Sequence, residues 1–104
     1  MKLQKKYKDN NEILKNLEEL SLTYMLFDDS FYNGFVYAVN YFISNKVNFA
    51  ELSETEIQLL EDNSKDICVN DNISYSIEFL DGIKGAYEAA HEICYSSIRT
   101  NIFL

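Results

Sequence analysis

Apolar residues recur at helical spacing in four stretches of this chain, with polar clusters between them. In the first, Ile13, Leu14, Leu17, Leu20, Tyr24 and Phe27 return every three or four residues, which predicts a helix over 10–27. Asp9 and Glu12 stand at capping-box spacing before it. Asp28, Asp29 and Ser30 end it and offer the next N-cap. The second stretch predicts a helix over 30–45. At about 100° per residue Phe31, Gly34, Phe35, Ala38, Val39 and Phe42 share one face. Only Asn33, Tyr37, Asn40 and Ser44 mark a wetter side, so this helix belongs at the centre of a small bundle.

The third helix is predicted over 53–64, capped by Ser53 with Glu56 three residues on. Ile57, Leu59 and Leu60 turn inward, and Glu54, Glu61 and Asp62 stay wet. "KDICVNDN" at 65–72 reads as a loop, because an extended Ile67–Val69 has no strand to pair with. The fourth helix is predicted over 73–98. Phe79, Gly82, Ile83, Ala86, Ala90, Ile93, Cys94 and Ser97 line one face, and Asp81, Lys84, Glu88 and Glu92 line the other. The closing "TNIFL" suits a segment folded back on the bundle or a partner surface. The pattern as a whole is an all-α bundle of about four helices, one domain over residues 1–104 with residues 1–8 as a short basic arm.

Two helices share a phrase. Phe31, Gly34 and Ala38 in "FYNGFVYAVNYFI" match Phe79, Gly82 and Ala86 in "FLDGIKGAYEAAHEI", 48 positions later. Small residues four apart, Gly34 with Ala38 and Gly82 with Ala86 and Ala90, flatten a helix and let another backbone approach. The simplest expectation is that helices two and four cross there. The alternative is an open groove that receives a partner helix or a second subunit. The flanking helices do not align at this offset, so the phrase does not make a duplicated domain.

Charge changes the picture. Nine basic side chains against 17 acidic ones leave a net of −8. Residues 1–8 carry Lys2, Lys5, Lys6 and Lys8 and no acid, so the other 96 residues hold 17 acids and 5 bases, a net of −12. Such a body repels phosphate backbones, and the four lysines alone give weak, salt-sensitive contact at most, so direct nucleic-acid binding is not expected. The apolar run 31–43 is 13 residues long and is broken by Asn33 and Asn40, too short for a bilayer span of about 20 residues. With no apolar segment behind the N-terminal lysines, the expectation is a cytoplasmic protein with Cys68 and Cys94 reduced. Abundant Lys, Asn, Ile and Tyr without Pro or Trp suit an AT-rich genome, that of a low-GC bacterium or its phages.

Catalytic and metal signatures are weak. Glu88 and His91 have the Glu-x-x-His spacing of di-iron bundles, but those sites need the pair twice and this chain has one histidine. His91 and Cys94, three apart, have the composition of a thiolate–imidazole pair, yet Cys94 falls on the apolar face. "DNSKDICVNDN" lacks the glycine and terminal glutamate of a calcium loop. No cofactor is expected.

What remains is a binding surface. Glu51, Glu54, Glu56, Glu61, Asp62 and Asp66 crowd the third helix and its approaches, and Tyr37 and Tyr95 are candidate interface anchors. The expectation is a non-enzymatic acidic module whose carboxylates imitate phosphates and occupy the basic groove of a nuclease or other nucleic-acid-handling protein. Small acidic inhibitors from mobile elements, anti-CRISPR proteins among them, share this size and charge, though no motif here identifies such a family. Two alternatives need little change: an immunity protein or antitoxin that neutralises a basic toxin, and a homodimeric helical module joined through a glycine–alanine groove.

Overall fold

The structure, a computed structural model, describes the backbone of residues 9–70 and 76–103 and the side chains of 9–66, 68 and 76–94. Four helices run in chain order: α1 (Asn10–Met25), α2 (Asp29–Ser44), α3 (Glu54–Asn70) and α4 (Ile77–Phe103). The basic arm 1–8 and residues 73–75, expected at the start of the fourth helix, lie outside the described residues.

Local hydrogen bonding explains the helix ends. Asp9 occupies the N-cap of α1, but its side chain makes no capping bond; its carbonyl accepts from Ile13 N–H at 3.0 Å. The anticipated capping box is therefore not formed by Asp9. α1 closes earlier than expected. Leu26 N–H donates to Thr23 O at 3.3 Å and Phe27 N–H to Tyr24 O at 3.0 Å, the tightening that ends a helix. Phe27 leaves the inward face and is 78% exposed. Asp28 then caps α2, its Oδ1 accepting from Phe31 N–H at 3.1 Å. α2 ends with Lys46 at φ 49°, while Lys46 N–H donates to Ile43 O at 3.2 Å and Val47 N–H to Phe42 O at 3.1 Å. These paired bonds make a Schellman closure in which lysine holds the place glycine usually takes.

α3 corrects the expected loop. Residues 65–70 are helical, not irregular or extended. The buried positions Ile57, Leu60, Glu61, Ser64 and Cys68 continue one stripe along the element, and no glycine or proline interrupts it. Two of those positions are polar, which hid the stripe. Ser64 is accommodated because its hydroxyl donates back to Glu61 O at 2.7 Å. α4 begins behind Ser76, whose Oγ accepts from Phe79 N–H at 3.2 Å, and the "TNIFL" backbone continues the helix to Phe103 in place of folding back.

α2 and α4 pack together most extensively. A Cβ placed on Gly34 would collide with the carbonyl oxygen of Phe79, and one on Gly82 with the carbonyl oxygen of Phe31. The numbers mirror each other, 34 with 79 and 82 with 31, so the helices run antiparallel and each presents its Phe-x-x-Gly to the other. Ala38, Ala86 and Ala90 are fully buried. The stripe of small residues is thus filled from within the fold and leaves no open groove at the two glycines.

Around this crossing sit Ile13 and Leu17 of α1, Phe35 and Phe42 of α2, and Phe79 and Ile83 of α4, all buried. Each large apolar side chain so buried contributes about 1.5–3 kcal/mol. Phe49 joins them from the connection between α2 and α3, meeting the Phe42 ring edge-on at 5.3 Å. Its N–H donates to Asn10 Oδ1 at 3.1 Å, which ties this connection to the start of α1. No described helix is long and apolar enough to cross a membrane.

Candidate functional site

The face left by this packing is the outer side of α4. Asp81, Lys84, Glu88 and Glu92 recur every three or four residues along it and are exposed. On one side α1 and α2 border it with Leu20, Tyr24 and Phe31, forming an open groove of about 750 Å³. Gly85 makes room for this floor: a Cβ there would lie 2.8 Å from Phe31 Cζ, so the Phe31 ring rests on the helix where a side chain would otherwise stand. Tyr24 completes the aromatic layer, its ring centroid 4.7 Å from that of Phe31.

On the other side α3 borders the same face. Glu54, Ile57, Gln58 and Glu61 meet Lys84, Tyr87 and Glu88 across a cleft of about 340 Å³. Lys84 and Glu88 line both hollows, so groove and cleft share one ridge. Five carboxylates, Glu54, Glu61, Asp81, Glu88 and Glu92, surround the single Lys84. Lys65, exposed, follows Glu61 by four residues, one turn further along α3. His91 extends the ridge, with its ring 6.2 Å from that of Tyr87.

The structure divides the acids that the sequence groups together. Glu54 and Glu61 face α4. Glu56, half-buried, lies on the opposite flank of α3, two residues and so about 200° round from Glu54. Asp62 and Asp66 point outward, and Gln58 Nε2 donates to Asp62 Oδ1 at 3.1 Å. Glu51 is exposed in the turn before the helix, where its N–H donates to Asn48 O at 2.9 Å. Glu61 is corrected outright: it was expected wet and is 9% exposed, because it falls on the buried stripe of α3.

The tyrosines differ as well. Tyr37 packs its ring 5.8 Å from Phe79 and is half-buried, so much of the ring is used by the fold itself. Burial first, then the neighbouring Cys68 and Tyr41, pushes its hydroxyl pKa above the ordinary 10.0. The Tyr95 side chain lies outside the described residues. Among the described residues, the aromatic groups that border the acidic ridge are Tyr24, Phe31 and Tyr87. Their association with α4 is a tertiary fact. The acids of α4 were legible as a wet helical face, although the denser run in α3 outweighed them.

Cys68 and Cys94 are buried and not joined in a disulfide, and burial pushes the Cys94 thiol up from its ordinary 9.0, away from the thiolate a nucleophile needs. His91 is exposed whereas Cys94 is buried in the core, 1% exposed. Among the described residues no three of His, Cys, Asp and Glu converge to hold a metal ion. No family model, no curated protein and no solved structure matches this chain.

Proposed function

We propose that the protein is a non-enzymatic binding module whose acidic α3–α4 face docks on a basic surface of a partner protein. The observation that carries the reading is the ridge of α4, where Asp81, Glu88 and Glu92, with Glu54 and Glu61 across the cleft, surround one lysine beside an aromatic-floored groove. Charge of one sign on a concave surface steers an oppositely charged partner and fixes its register. Tyr24, Phe31 and Tyr87 supply rigid apolar area next to the charge, the composition of interface anchors.

The partner surface that fits best is a nucleic-acid groove, since carboxylates spaced along a rigid helix present a row of negative charges to lysines and arginines placed for phosphates. Occupying that groove inhibits the partner. This is the mode of action proposed here for an inhibitor encoded by a phage or another mobile element, working on a defence or nucleic-acid-handling protein.

The test is affinity capture from a low-GC bacterial lysate at low and high salt, with duplex DNA or structured RNA added as competitor. The reading expects a basic nucleic-acid-binding protein that salt releases and nucleic acid displaces. A captured basic toxin that nucleic acid does not displace would replace the inhibitor reading with that of an immunity protein. Recovery of the bait alone, unchanged by salt, would overturn the reading.

A further inference from the structure

Glu61 differs from the other acids of this face. It is 9% exposed, and its Oε2 is sealed from solvent with no hydrogen-bond partner among the described residues. A buried acceptor without a donor costs a fold stability, and such groups in native proteins call for an explanation. Glu61 lines the cleft of about 340 Å³ between α3 and α4, alongside Glu54, Gln58, Tyr87 and Glu88. Lys84, exposed on the rim, does not reach this oxygen. The cleft therefore holds an unpaired carboxylate at its wall, two more carboxylates at its mouth and an aromatic ring.

We propose that this cleft receives one arginine side chain of the docking partner. The guanidinium pairs with the Glu61 carboxylate, which turns from its sealed position into the cleft to meet it, lies against the Tyr87 ring, and is covered from outside by Glu54 and Glu88. The inference rests on the reading that a basic protein docks on this face, and it names the residue type that the face selects. Three features favour arginine. A planar fork with five donors pairs with carboxylates on more than one side, whereas an ammonium is a compact, strongly hydrated point charge. Guanidinium stacks on aromatic rings. A metal ion finds no set of three ligands among the described residues.

The probe is N-acetyl-arginine amide, titrated into the full chain and followed by NMR at the Glu61 carboxyl carbon and the Tyr87 ring. The expected result is saturable binding on the order of 1 mM, the range open to one side chain without the rest of its partner. Glu61→Gln weakens it by about 10-fold, because the charge-assisted bond is lost while shape is kept. Lys84→Met strengthens it several-fold by removing a competing cation. Linear shifts spread over all the acids, equal affinity in Glu61→Gln, or equal affinity for N-acetyl-lysine amide would each overturn the assignment, and the unmodified protein alone decides the first and third. Partner capture separates this inference from the reading beneath it. If the probe fails while Glu54→Lys with Glu88→Lys abolishes capture, the face stands and the arginine site falls. If the probe binds and capture survives those reversals, the site stands and the docking face falls.

Discussion

Gly34 and Gly82 face each other's helices in reciprocal register: Gly34 abuts the carbonyl of Phe79, and Gly82 abuts the carbonyl of Phe31. Each glycine lies three residues after the phenylalanine whose carbonyl the other meets. The repeated Phe-x-x-Gly is therefore one contact written twice, once for each helix of an antiparallel crossing. Backbone meets backbone there, and neither side can yield by changing a rotamer.

Gly34→Ala and Gly82→Ala should each destabilise the fold by about 3 kcal/mol or more, because the helices must separate to admit a methyl group. Gly85→Ala is the contrast. Its Cβ meets the end of the Phe31 ring at 2.8 Å, a side chain that can swing, and alanine recovers up to about 1 kcal/mol of helix propensity. Urea denaturation of the three variants should rank Gly85→Ala far above the other two. Equal losses would mean that the crossing is not the tight point of the structure.

Lys46 holds a left-handed conformation at the end of α2, with φ 49°. A side chain there costs about 1–2 kcal/mol, of which glycine returns part in unfolded-state entropy. Lys46→Gly should raise stability by about 0.5–1 kcal/mol, read as a shift in denaturation midpoint at unchanged slope. Asp28→Ala and Ser76→Ala should each lower it by about 1 kcal/mol through loss of an N-cap.

Alkaline pH should weaken the fold. The folded-state pKa values of Cys94 and Tyr37 lie above their ordinary 9.0 and 10.0, burial being the first cause for both. The neutral forms are thus favoured by folding. The stability they add is fully present below pH 9 and is lost as pH rises through the raised values. Cys94→Ala should flatten the first part of that decline in a pH series of denaturation midpoints, and native Cys94 should alkylate slowly.

Glu61→Met should make the isolated protein more stable by about 1–3 kcal/mol, since it removes a buried acceptor that has no donor among the described residues. The same change should weaken partner binding. A variant that gains stability and loses affinity is the signature of a group kept for recognition; a loss of stability would assign Glu61 a structural partner instead.

Much of the fold was legible in the periodicity. The inward faces of α2 and α4 follow from Phe35, Ala38, Phe42, Phe79, Ile83 and Ala86, all of which are buried. What periodicity could not show was where polar residues stand in for apolar ones. Glu61 and Ser64 occupy core positions of α3, and these polar residues interrupt the apolar period just before 65–70, the stretch expected as loop and found helical. Phe49 was hidden for the opposite reason: it is a core residue in an irregular segment, where no period exists to mark it. The acids were legible in the sequence as exposed charge, but their arrangement in space was not. Acidic density pointed to α3, whereas the concave surface is made by α4 with α1 and α2 on one side and α3 on the other.

The measurement that tests the central claim most directly is partner capture by two variants matched in charge. One carries Glu54→Lys and Glu88→Lys on the ridge; the other carries Asp62→Lys and Asp66→Lys on the outer side of α3. The ridge variant should lose capture by 10-fold or more, as expected for charge pairs at a docked interface, and the outer variant should keep it. Equal loss in both would show that overall charge, and not this face, holds the partner; loss in the outer variant alone would move the interface to the far side of α3.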